Sequence, residues 1–135
     1  MRSKQALTLE DVKKIASAAE KEALTNKWAV TIAIVDDGGN LLWLQRLDGA
    51  APVSASIAPS KARTAALGVR ETKIYEDIIN NGRYSFLSAP NIDGLLEGGV
   101  PILVAGDCVG AVGVSGVKSN EDAQIAKAGI AALAL

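Results

Sequence analysis

The stretch from Gly98 to Val117, GGVPILVAGDCVGAVGVSGV, constrains the fold more than any other part of the chain. Two apolar runs, Pro101 to Ala105 and Cys108 to Ser115, flank Gly106-Asp107. A glycine at the first central position of a two-residue loop predicts a β-hairpin with a type II′ turn. Alternation along the second strand puts Val109, Ala111, Gly113 and Ser115 on one face and Cys108, Gly110, Val112 and Val114 on the other. The first face is almost bare from Ala111 onward, so a helix, a ligand or another chain can approach the backbone closely. Gly98-Gly99 and Ser115-Gly116 stand at the outer ends of the two strands. The hairpin therefore brings them together, and that end is the candidate binding site.

The rest of the chain supplies partners for this ribbon. Thr8 is a candidate N-cap for an amphipathic helix to about Leu24, with Leu9, Val12, Ile15, Ala16, Ala19 and Ala23 at helical spacing and Glu10 and Asp11 in the first turn. Lys13, Lys14, Glu20 and Lys21 form its solvated face. Next, Val30 to Val35 and Leu41 to Leu47 flank Asp37-Gly38-Gly39-Asn40, which predicts a second hairpin. Its first strand is apolar on both sides, the pattern of a strand covered on both faces. On the second strand Leu42 and Leu44 share parity with Arg46 and Asp48. These two charges are either a surface ion pair or an anion-anchoring arginine oriented by a carboxylate.

Pro59 divides the helical composition of Pro52 to Leu67, and a helix starting near Ala58 avoids the interior cost of proline. Lys61 in that helix is a candidate for gripping a ligand carboxylate. Thr72 to Asn80 predicts a further helix stopped by Asn81-Gly82. Gly82 to Gly99 reads as a long loop with room for a brief strand, in which Tyr84 and Phe86 fill a satellite core or line a flat pocket. A last helix begins at Ser119, with Asp122 as its capping-box acid. Helix, hairpin, two helices, loop, hairpin, helix is most economically one antiparallel sheet with helices on its faces, an α+β class, in one domain spanning residues 1–135.

The chain has no histidine, which excludes Ser-His-Asp and Cys-His mechanisms and the usual imidazole ligands of zinc and haem. One cysteine excludes an internal disulfide and a Cys-x-x-Cys site. A metal site of the usual kinds is therefore not expected. The segment G-V-S-G ending at Gly116 lacks the last glycine of G-x-S-x-G, and Gly110, Gly113 and Gly116 do not form G-x-G-x-x-G. A net charge of -1 offers no footprint for nucleic acid. No run is long and apolar enough for a membrane span, and the first residues lack a signal-peptide core, so a cytoplasmic location is expected.

LTLEDV near the start, VDDGGNLLWLQRLDGA, SKARTAA, GGVPI, and VGAVGVSG followed by EDAQIAKAGI together resemble the GlcG/HbpS family, which includes the C-terminal domain of PduO-type proteins. The resemblance spans essentially the whole chain. It implies a profilin-like α/β/α sandwich with a five-stranded antiparallel sheet, assembly as a homo-oligomer, and possible haem as cofactor. The family's Gly-Gly-Val-Pro-Ile falls on Gly98 to Ile102, its Ser-Gly on Ser115-Gly116, its Lys-Ala on Lys61-Ala62 and its acidic residue on Asp122. Glu97 stands where many relatives have proline, Pro59 interrupts a helix that is usually continuous, and no histidine is available to haem iron.

The reading that unites these features is a small-ligand-binding accessory or sensing protein. Its ligand is haem or a related planar or carboxylated molecule, held near Arg46, Asp48, Lys61, Gly98, Gly99, Ser115 and Gly116. Two alternatives stand beside it: an enzyme moving protons with Lys61 or Asp48, and an assembly module for a diol or glycerol dehydratase or cobalamin-related system.

Overall fold

A computed structural model describes residues 1–135. The elements are α1 (Leu9–Thr25), β1 (Thr31–Asp36), β2 (Leu41–Arg46), α2 (Ser54–Gly68), α3 (Thr72–Asn80), a 3₁₀ turn (Tyr84–Ser88), β3 (Gly99–Val104), β4 (Asp107–Ser115) and α4 (Ser119–Ala131). The strands form one antiparallel sheet in the order β2-β1-β4-β3. The α+β class stands as expected, but the sheet has four strands and not five. The segment with length to spare, after α3, is held elsewhere. Thr64 Oγ1 bonds both the carbonyl and the N–H of Asp93, and Thr72 Oγ1 bonds the Leu96 carbonyl and accepts from Gly99 N at 2.9 Å. These two threonines fasten the loop to α2 and α3, and its compact part is the 3₁₀ turn.

The two faces of the sheet are packed differently. On one, Ile32, Ile34, Val100, Ile102, Val112 and Val114 meet Val12, Ile15, Ala19 and Ala23 of α1 and Ile125 and Ala126 of α4. On the other, Ala33, Val35 and Ala111 meet Ala58, Ala62, Ala65 and Ala66 of α2. Here the helix backbone lies directly on the strand: a Cβ at Gly113 would fall 2.1 Å from the Ala58 carbonyl oxygen and 2.5 Å from Ala62 N. The small-residue face of β4 thus admits a helix.

Local chemistry explains most of the element boundaries. Thr8 caps α1 in a reciprocal box: Asp11 N donates to Thr8 Oγ1 and Thr8 N to Asp11 Oδ2. The Thr8 N–H and hydroxyl hold the Asp11 carboxyl below the usual range. Asp36, and not Asp37, organises the first hairpin, its Oδ1 accepting from Gly38 N and Asn40 N. Asp37 pairs instead with Lys4 at 2.7 Å.

Three local expectations are corrected. The second hairpin turns at Ala105-Gly106, with Val104 opposite Asp107 and φ of 50° and 83° at the two loop residues. Positive φ at both makes it type I′ and shifts the turn one residue from Gly106-Asp107. A bulge places Ile102 opposite Gly110 but Leu103 opposite Cys108. Val109 therefore swings into the α1–α4 core while the Cys108 thiol turns toward the Ala66 carbonyl of α2, reversing the simple alternation for this pair. Finally, α2 begins at Ser54 and contains Pro59. The turn before the proline is anchored from outside: Ser54 Oγ lies 2.8 Å from Thr31 Oγ1, and Ala58 is fully buried. These contacts, with the packing of the rest of α2 on the sheet, hold the turn before the proline in place.

Candidate functional site

The predicted site residues separate into three groups at one end of the sheet. The first is a closed network. Lys61 projects from α2 past the paired ends of β3 and β4, and its Nζ donates to the Val114 carbonyl and to Asp122 Oδ2, both at 3.0 Å. The path is open only because Gly98 has no side chain: a Cβ there would lie 2.7 Å from Nζ and 3.0 Å from Cδ. A Cβ at Gly99 would lie 2.3 Å from the Lys61 carbonyl oxygen. Asp122 Oδ1 in turn accepts from Val117 N at 3.1 Å. This lysine thus ties α2 on one face of the sheet to α4 on the other.

Asp122 does not cap α4 as expected. Glu121 takes that role, accepting from Lys118 N, and Asp122 is the buried partner of Lys61. Burial pushes the Asp122 carboxyl above the usual range, against the opposing pull of Lys61. Lys61 is 2% exposed and Gly98 and Gly99 are buried beside it, so protein atoms fill this part of the candidate end. Sequence reasoning did not join Lys61 to Asp122. The available signal was that Lys61 shares a helix face with Ala58, Ala62 and Ala65, a face with no route to solvent.

The second group is a row across three strands: Arg46 opposite Thr31, and Thr31 opposite Ser115. Arg46 is exposed and donates from Nε to the Ala50 carbonyl at 3.1 Å, so it makes no ion pair with Asp48. Ser115 is buried under the first turn of α2, next to the Thr31–Ser54 hydroxyl pair.

The third group forms the open part of this end. A cleft of about 410 Å³ is lined by Glu20, Leu24, Lys27, Trp28, Ala29, Leu47 and Asp48. Its walls come from the end of α1, the α1–β1 connection and the turn after β2. A Schellman motif builds it: Lys27 N donates to the Leu24 carbonyl and Trp28 N to the Ala23 carbonyl. That motif needs a left-handed residue, usually glycine, and Lys27 occupies it with φ 60°. The motif turns the chain sharply, and Trp28 comes to pack against the α1–α4 core with part of its ring exposed. Gly116 supports the back wall, where a Cβ would lie 2.5 Å from the Ala29 carbonyl oxygen. Asp48 is thus the predicted residue that lines this cleft, with Gly116 behind Ala29, while Trp28, Lys27 and Leu47 were not foreseen. A wider trough of about 760 Å³ runs along the outer face of α1. Its walls are largely the exposed arms of Lys13, Lys14 and Lys21, with Ala132 after α4 at one side, and the one ion pair among them, Lys14 with Glu10 at 3.6 Å, lies on the exposed surface.

The groups able to bind a haem iron strongly are withdrawn from this cleft. Cys108 is 8% exposed, with its thiol directed to the carbonyls of Gly110 and Ala66. Tyr75 is 6% exposed, packed on Phe86 and against Gly68. Tyr84 is exposed, but it lies in the 3₁₀ turn and not in the cleft lining. No group of three or more Cys, Asp or Glu side chains is placed to hold a metal ion. No helix is long and apolar enough to cross a membrane.

Comparison with known proteins places this architecture. Protein GlcG of Escherichia coli K12 is 52% identical over 115 residues, 85% of each chain. The crystal structure of ORFY from Klebsiella pneumoniae superposes with a TM-score of 0.91 at 29% identity, covering 99% of this chain and 94% of that one. A PduOC–haem complex superposes with a TM-score of 0.86 at 28% identity over 95% of each chain. The family model for haem-degrading, HbpS-like proteins matches residues 7–131, and the chain is therefore a member of the HbpS-like family.

Proposed function

We propose that this chain is a small-ligand-binding protein of accessory or sensing type, and that it takes a planar ligand of the porphyrin class in the cleft beside Trp28. The observation that carries the reading is the cleft itself. A rigid indole and two leucines, Leu24 and Leu47, offer a flat apolar wall, in a volume within the range of small-molecule sites. The haem bound by the PduOC relative supports the ligand class. Glu20 and Asp48 also line the cleft, so a carboxylated ligand sits with its ring against Trp28 and its carboxylates outward, toward Lys27 and solvent.

The cleft favours this reading over proton-transfer catalysis by Lys61, whose ammonium is enclosed and already bonded to two oxygens. Self-association accompanies it: Leu41, Leu42 and Leu44 are exposed on β2, a strand at the edge of the sheet, and a second copy of the chain is the partner we assign to them.

Titration with hemin tests the ligand. A shifted Soret band saturating at one equivalent is expected, with affinity weakened by at least about tenfold in Trp28→Leu. Diffuse absorbance without saturation would remove the porphyrin class. Light scattering of the purified chain tests the partner, with a mass above 13.9 kDa expected.

A further inference from the structure

Building on the porphyrin reading, we infer that this protein recognises the macrocycle and not the metal, so that iron-free protoporphyrin binds as tightly as hemin. Proteins hold haem iron through imidazole, thiolate, thioether or phenolate donors. The chain has no histidine and one methionine, Met1, at the terminus. Its one cysteine faces the carbonyls of Gly110 and Ala66 from under α2. Tyr75 is closed in by Phe86 and by Gly68, where even a Cβ would lie 2.1 Å from its hydroxyl. The amine of Lys61 is taken by Asp122 and the Val114 carbonyl.

What the cleft does present is an indole face, two leucines, two carboxylates and Lys27. The indole and leucines recognise a flat apolar ring whether or not it holds a metal. Lys27 at the rim is placed to pair with a ligand carboxylate. The residues lining the cleft would therefore hold a porphyrin by its ring and its carboxylates and would supply no strong donor to an iron within it.

The test compares hemin with iron-free protoporphyrin on the full chain, by absorbance for the first and by porphyrin fluorescence for the second, together with the spin state of bound hemin. Dissociation constants within about threefold of each other, and a high-spin, water-ligated ferric spectrum unchanged in Cys108→Ser, Tyr75→Phe and Tyr84→Phe, are the expected results. Hemin binding at least about tenfold tighter than protoporphyrin, or a spectrum that one of those variants alters, would overturn the inference while leaving the porphyrin reading in place. Binding of neither molecule would overturn both.

Discussion

The Lys61 network and the Trp28 cleft occupy the same end of one sheet and are built on opposite terms. Around Lys61 every polar group has a partner and glycines remove the space a side chain would take. Around Trp28 an aromatic ring is left partly uncovered, Glu20, Lys27 and Asp48 line the opening, and the backbone is held in a left-handed turn by a residue that does not favour it. The first arrangement fixes the helix layers, and the second leaves a surface for something else.

The sharpest break in the comparison comes from Lys61→Ala. Removing one partner of a buried pair leaves Asp122 uncompensated, and a loss of about 3–5 kcal/mol is expected in urea unfolding. The double change Lys61→Met with Asp122→Leu removes both charges and recovers most of that loss, less what the Val114 carbonyl and Val117 N–H forfeit. Gly113→Ala follows. Its methyl has no room under α2, and a helix shift costing about 1–3 kcal/mol is expected from the same measurement.

The pH dependence of stability isolates Asp122. Because burial raises its pKa, the folded protein holds this proton more tightly than the unfolded chain does. Its contribution is complete below the usual carboxylate range and is lost as pH rises through the raised value. Asp122→Asn should flatten that part of the profile, and a difference between wild type and variant that grows in the opposite direction would contradict the assignment.

On the cleft side the expected stability effect is smaller and of the other sign. Lys27→Gly relieves a left-handed conformation that costs a side-chain-bearing residue about 1 kcal/mol, so the variant should melt higher than wild type. It should also bind a carboxylated porphyrin more weakly, since the cation at the rim is gone.

The two regions also differ in how far the sequence disclosed them. Helical spacing and the Thr8 cap located α1, and alternation located both hairpins, because those signals are local. The one-residue shift to Ala105-Gly106 and the exchange of Cys108 and Val109 were not legible, since a bulge is decided by pairing with the neighbouring strand. Pro59 argued for a late helix start, and the burial of Ser54 and Ala58 overrode it. Gly98, Gly99 and Lys61 were marked as candidates from sequence, but their joint dependence on Asp122 is a contact across sixty-one positions that no spacing rule reaches. Trp28 escaped notice because a half-buried tryptophan after a helix reads as ordinary core, and only the Schellman turn at Lys27 places it at the cleft.

The division between these regions is tested most directly by measuring protoporphyrin affinity in two variants side by side. Trp28→Leu keeps an apolar side chain against the core but removes the ring, and the Lys61→Met, Asp122→Leu pair rebuilds the buried network without touching the cleft. We predict that binding weakens by at least about tenfold in the first, a change of about 1.4 kcal/mol, and stays at the wild-type level in the second. Unchanged binding in Trp28→Leu together with lost binding in the folded double variant would show that the ligand belongs to the Lys61 network, and would contradict the account.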